Sequence, residues 1–157
     1  MRPALFLLLA GCAPLAAVID PPLAQLARWR DAPGLAAEQP VIQPCPGGHR
    51  ACAQLHARRA EACMVRAMTA RAPLGACPGS AALGDLTCAL NAYAAARRTD
   101  HRPVLAAGHA QALICVGHLS ANRDLGRRAL EAAAAAPPDR APLLRARAQT
   151  LIDGAPR

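Results

Sequence analysis

Seven cysteines, at positions 12, 45, 52, 63, 77, 88 and 115, are spread along a chain whose other residues favour helix. A helix fixes where its side chains point, so the thiols that can meet depend on which helices pair. The helical bias lies in the residue types. Alanine, leucine and arginine dominate, while the β-branched residues that suit a pleated sheet are scarce. The chain therefore reads as all-α. Its apolar share is 54%, but alanine supplies the largest part, and aromatic residues make up 2%. Helices with such faces approach closely, yet each buried side chain removes little area from water. A core of this kind gains much from covalent cross-links.

Breakers and caps divide the chain into helical segments. Pro22 to Arg30 has the makings of a short helix, and Trp29 is placed as a staple onto the helical body. A stretch to Gly48, with Pro33, Pro40, Pro44, Pro46 and Gly47-Gly48, reads as a loose extended tether. Arg50 to Arg71 is patterned as one amphipathic helix, with Cys52, Leu55, Cys63 and Met64 inward and Arg58, Arg59 and Arg66 outward. Pro73, Gly75, Pro78 and Gly79 end it. Ser80 is expected to cap the next helix, which runs to about Arg98. A third helix follows Pro103 and ends near Ser120. A fourth spans about Arg123 to Ala136, stopped by Pro137-Pro138. A fifth runs from Asp139, as its cap, to Ile152, closed by Gly154 and Pro156.

The N-terminal segment has its own pattern. Arg2 precedes a short apolar run, Pro3 to Ala10, and the run ends in Leu9-Ala10-Gly11-Cys12. A bulky apolar residue, two small ones and a cysteine after a short apolar run resemble the lipobox of bacterial lipoprotein signal peptides. That resemblance implies cleavage after residue 11 and a diacylglycerol thioether plus N-acylation (palmitate-type chains) on Cys12. Several acyl chains anchor stably where one gives marginal, reversible binding. Ala13 follows the cysteine where an aspartate would signal inner-membrane retention, so the resemblance implies the periplasmic face of the outer membrane. No other apolar run approaches the roughly 20 residues of a spanning helix. The expected organisation is a signal at 1–11, a lipid anchor with flexible tether at 12–48, and a helical domain at 49–157.

Two helical segments are alike. Asp85, Ala89, Tyr93 and Ala96 share their spacing and character with Asn122, Gly126, Leu130 and Ala133, and the two sets lie 37 residues apart. This resembles the second helix of tetratricopeptide (TPR) repeats, a family of stacked helical hairpins that bind peptides and partner proteins. The likeness covers roughly Arg50 to Ile152. The first-helix signature with its Trp and Tyr is missing, and Pro73, Pro78 and Gly79 interrupt the helix expected before Leu83. The resemblance implies stacked antiparallel hairpins whose concave face engages a protein.

With Cys12 lipidated, six cysteines remain for an oxidising compartment, an even set that implies three disulfides. Cys52 and Cys63 lie on one helix, about 16 Å apart along its axis, too far to bond. In an antiparallel hairpin turning near residue 76, Cys63 and Cys88 stand at equal heights. Cys77 in that turn lies near the end of the third helix, where Cys115 falls. Cys45 and Cys52 then close a small loop. The preferred set is Cys45–Cys52, Cys63–Cys88 and Cys77–Cys115, although Cys88 also has Cys115 within reach. The competing chemistry is a metal site, since Cys52-x3-His56, Cys115-x2-His118 and nearby His49 have ligand-like spacing. Such a site needs thiolates that have not oxidised. No metal and no cofactor are expected.

The net charge is +8, and all 18 basic residues are arginine. Such a surface is drawn to anions, including anionic headgroups and acidic proteins. Nucleic acid is discounted, because an exported chain with one Trp and one Tyr beyond its signal lacks stacking platforms. Arg58-Arg59, Arg97-Arg98 and Arg127-Arg128 are candidates for contact with anionic lipid. Catalytic motifs are missing from the sequence: without lysine there is no P-loop, and neither HExxH nor GxSxG occurs. Ser80 and Ser120 suit helix boundaries, and Glu61 and Glu131 lie beside arginines that pair with them. An enzyme is the weakest class, one that a polar pocket gathering His56, His109 and Glu61 would revive. The expected function is a protein-binding adaptor of the cell envelope with an unidentified envelope protein as partner. The alternative is a structural or small-ligand-binding envelope lipoprotein built as a closed bundle.

Overall fold

In the computed structural model, which describes residues 20–46, 48–68 and 76–154, all regular structure is helical. The helices are α1 (Pro21–Asp31), α2 (Leu35–Glu38), α3 (Arg50–Met68), α4 (Leu83–Ala96), α5 (Pro103–Ser120), α6 (Arg123–Ala134) and α7 (Ala141–Asp153). Among the described residues no helix is long and apolar enough to cross a membrane. Cys12 and its lipobox lie outside the described residues, as do 69–75.

Local chemistry sets most boundaries. Asp20 Oδ1 accepts from the Leu23 N–H at 3.0 Å, and prolines in the first turn of α1 supply a fixed φ where no donor is needed. Asn122 caps α6 through the Asp124 N–H at 3.0 Å. Gly154 ends α7 in the left-handed region, at φ 69°. Two expected caps are not formed. Ser80 begins a 3-10 turn, Ser80–Ala82, whose carbonyl takes the Leu83 N–H, and α4 starts after it. Asp139 is replaced by backbone: the Pro137 carbonyl accepts the Arg140 and Ala141 N–H groups at 3.0 and 2.9 Å.

Side-chain meetings show how the helices run. Arg66 pairs with Asp85, Cys63 with Cys88, and Ala57 and Ala60 share a core with Ala92, Tyr93 and Ala96. Residue numbers rise on α3 as they fall on α4, so the two are antiparallel. The same holds for α4 and α5, where Leu86 meets Cys115 and the Tyr93 ring fills the space a Cβ on Gly108 would take. On α6 and α7, Ile152 lies against Gly126, and Leu144 shares a core with Ala133. The small residues let the helix backbones approach closely. By contrast α5 and α7 run parallel: Gly117 lies against Leu151, and Gln111 Oε1 accepts from Arg147 at 2.7 Å. Central α5 is buried on several sides, with Leu105, Leu113, Ile114 and Cys115 fully enclosed.

The helix expected over Pro22 to Arg30 is α1, but the loose tether expected after it to Gly48 is not what residues 32–46 form. Trp29 is fully buried and packs with Ala36, Val41 and Leu55 of α3. Buried Gln25 donates to the Pro40 carbonyl and accepts from the Ile42 N–H, both at 2.8 Å. Arg59, expected to point outward, donates to the carbonyls of Ala36 and Gln39. These side chains satisfy backbone groups that a proline-rich stretch cannot pair within itself, so it becomes a packed layer.

Three disulfides join Cys45–Cys52, Cys63–Cys88 and Cys77–Cys115, with Cα–Cα distances of 5.6, 5.9 and 5.1 Å. They are the set preferred from helical spacing; the alternative Cys88–Cys115 pair is not formed.

Candidate functional site

The core takes one face of α3 and leaves the rest to line two adjoining recesses. The larger, of about 1390 Å³, lies between the N-terminal half of α3 and the α4–α5 connection. Ala53 and Ala57 belong to its lining, and short side chains there leave room against the helix. Arg50, Arg58, His49, His101 and Arg102 add cationic or titratable groups, against two carboxylates, Glu61 and Asp100. Asp100 is already engaged. Its Oδ1 accepts the Arg102 N–H at 3.1 Å and Nε at 3.0 Å, and the salt bridge reaches 2.8 Å. The Arg102 side-chain hydrogen bond, with its backbone bond and charge, holds the Asp100 carboxyl below the usual range. This local bond pair fixes the turn just before Pro103 opens α5. On the other rim His49 Nε2 lies 3.2 Å from Asp20 Oδ2, tying the start of α3 to the cap of α1.

The second recess, of about 470 Å³, lies between the α1–α2 layer and the outer face of α3. Trp29, Pro33, Ala36, Ala62 and Val65 give it an apolar lining, and Val65 is 64% exposed there. Arg58 and Glu61 line both recesses.

The residues singled out from sequence are dispersed. Glu61 faces both recesses, but His56 and His109 line neither. Burial pushes the half-buried His56 imidazole down, helped by Arg98 and Arg59. Burial also pushes His109 down, to about 4, with Arg97 and Arg128 adding to the shift. Its Nδ1 lies 2.8 Å from Arg97 Nη1. Cys52 and Cys115 are bonded to Cys45 and Cys77, so neither offers a thiolate beside His56 or His118. Among the described residues no group of three or more His, Cys, Asp or Glu could hold a metal. The arginine pairs divide their labour. Arg59 and Arg97 bond to the Ala36 and Gln39 carbonyls and to His109, the exposed Arg127 pairs with Asp124, and Arg58, Arg98 and Arg128 are exposed.

No known protein family, curated protein or solved structure matches this chain. The chemistry of the recesses is therefore the guide to function. What they offer is binding: the held Arg102 and the exposed Arg50 and Arg58 over a concave floor, with an apolar recess beside it. The convergence of His49, Arg50, His101 and Arg102 was not visible as a motif. The run Asp100-x-Arg102-Pro103 carries an acid and a base two residues apart before a proline, a local signal for a turn that does not point to α3.

Proposed function

We propose that this protein is a lipid-anchored adaptor of the bacterial cell envelope, held at the periplasmic face of the outer membrane through acylated Cys12. It engages a partner protein through TPR-like hairpins. The reading rests on one observation above others, the open recess where Arg50, Arg58 and Arg102 meet along α3. An enclosed bundle would bury such groups; here Arg102, held by Asp100, and the exposed Arg50 and Arg58 line a concavity large enough for a segment of another chain.

Two further features support stacked hairpins. The pairs α3–α4, α4–α5 and α6–α7 are antiparallel, and α5 and α7 run parallel at offsets of 34 residues between Gly117 and Leu151 and 36 between Gln111 and Arg147. Those offsets lie close to the roughly 34-residue period of TPR repeats. The anchor rests on the Leu9-Ala10-Gly11-Cys12 pattern.

The anchor is tested by Cys12→Ala in a native envelope. The variant is expected to lose labelling by lipid precursors and to leave the membrane fraction. Unchanged labelling and membrane retention would remove the lipoprotein assignment, and with it the reason for setting Cys12 apart from the disulfides.

A further inference from the structure

We infer that the two recesses along α3 are one site, and that it takes an extended acidic segment of a partner protein with an apolar residue at its Trp29 end. The inference rests on the adaptor reading and gives the partner its chemistry. Continuity is the first observation, because Arg58 and Glu61 belong to both linings. From Arg50 to Arg66 the track covers about 24 Å of helix axis, the reach of about seven extended residues.

Charge assigns the two ends. Arg50, Arg58 and Arg102 face the larger recess against Asp100 and Glu61; with Asp100 bonded to Arg102, Arg50 and Arg58 against Glu61 leave one positive charge in surplus. Val65, 64% exposed beside Trp29, Pro33 and Ala62, offers the other end an apolar seat. Glu61 at the junction disfavours a carboxylate there and can accept a backbone N–H from the segment. Shape separates a chain from a membrane surface: these guanidinium groups line a concavity, which a slender segment enters and a flat bilayer does not.

The test is fluorescence anisotropy on the full chain carrying Cys12→Ala, with a labelled peptide of glutamates ending in one leucine. All-glutamate and lysine-for-glutamate peptides are the comparisons. The leucine-ended peptide is expected to bind, more weakly as salt rises, and the lysine peptide not to bind. Arg58→Glu is expected to weaken binding at least about tenfold. Val65→Ser, at an exposed position, should erase the advantage of the leucine-ended peptide over the all-glutamate one. Unchanged helical circular dichroism in each variant ties the losses to the site. Equal binding by Arg58→Glu, or none by the parent chain, overturns the inference. So does displacement of the peptide by phosphatidylglycerol vesicles, which would assign the arginines to lipid. Photo-cross-linking from Gln54 to envelope proteins reads partner capture separately. Adducts without peptide binding overturn the acidic-segment assignment alone, and failure of both overturns the adaptor reading as well.

Discussion

At the scale of single residues, His109 shows how packing sets a charge state. Arg97 can only donate, so His109 Nδ1 accepts at 2.8 Å and the ring proton sits on Nε2. Protonating Nδ1 would set two donors against each other in a site that burial and two arginines already make hostile to charge. The imidazole is held near 4, against an ordinary value of 6.5. The unfolded chain therefore takes the proton first as pH falls. The contribution of this group to stability is complete above about pH 6.5, declines between there and about pH 4, and changes no further below. The span amounts to up to about 3 kcal/mol. Denaturant unfolding of His109→Gln, whose amide can still accept from Arg97, should show a smaller loss than the parent between about pH 7.5 and about pH 4.5. Parallel loss in the two chains would assign the acid sensitivity to other groups. The sequence puts His109 within the helix that follows Pro103 and gives no sign that it is buried. Periodicity assigns one apolar face to a helix, whereas α5 is enclosed by α3, α4, α6 and α7 together.

At the scale of elements, α1 matches the helix read over Pro22 to Arg30, and the proline-rich stretch after it departs most from the sequence reading. Pro33, Pro40, Pro44 and Pro46 argue for a tether, and local pattern gives no other signal. The bonds that fold it join residues far apart: Gln25 to Pro40, Trp29 to Gln39, and Arg59 to Ala36. Such pairings depend on tertiary placement and leave no periodic trace. The staple itself was legible in Trp29, the one large aromatic in that stretch. Trp29→Ala is expected to cost about 3–5 kcal/mol, read as a lower denaturant midpoint. Limited proteolysis of the variant should cut first between residues 32 and 48, with α4 to α7 still protected. If stability is unchanged and the cleavage pattern stays that of the parent, the layer is a tether after all. The hairpins were far more legible. Pro103 and Ser120 bound α5, and Asn122 caps α6, because prolines and short polar side chains act on their own helix ends.

At the scale of the molecule, disulfides and charge divide the work of holding and recognising. Cys63–Cys88 ties α3 to α4, Cys77–Cys115 ties the segment before α4 to α5, and Cys45–Cys52 ties the N-terminal layer to α3. Each typically contributes about 2–4 kcal/mol, a large share of the stability of a small, alanine-rich core. Cys63–Cys88 was legible because helical rise is constant, so antiparallel partners stand at equal heights; the other two pairs followed from the turn and the short loop that hold Cys77 and Cys45. The recess was not legible, because it forms where α3 meets the connection at residues 99–102, some forty positions later. Sequence alone shows the positive charge and not where it gathers. The adaptor reading is tested most directly by a photo-cross-linking residue placed at Gln54, in the recess, or at Leu143, exposed on α7 and outside both recesses. Gln54 is predicted to yield a discrete protein adduct in the membrane fraction, lost with Arg58→Glu, while Leu143 yields none. No adduct from Gln54, or the same adducts from both positions, would contradict it.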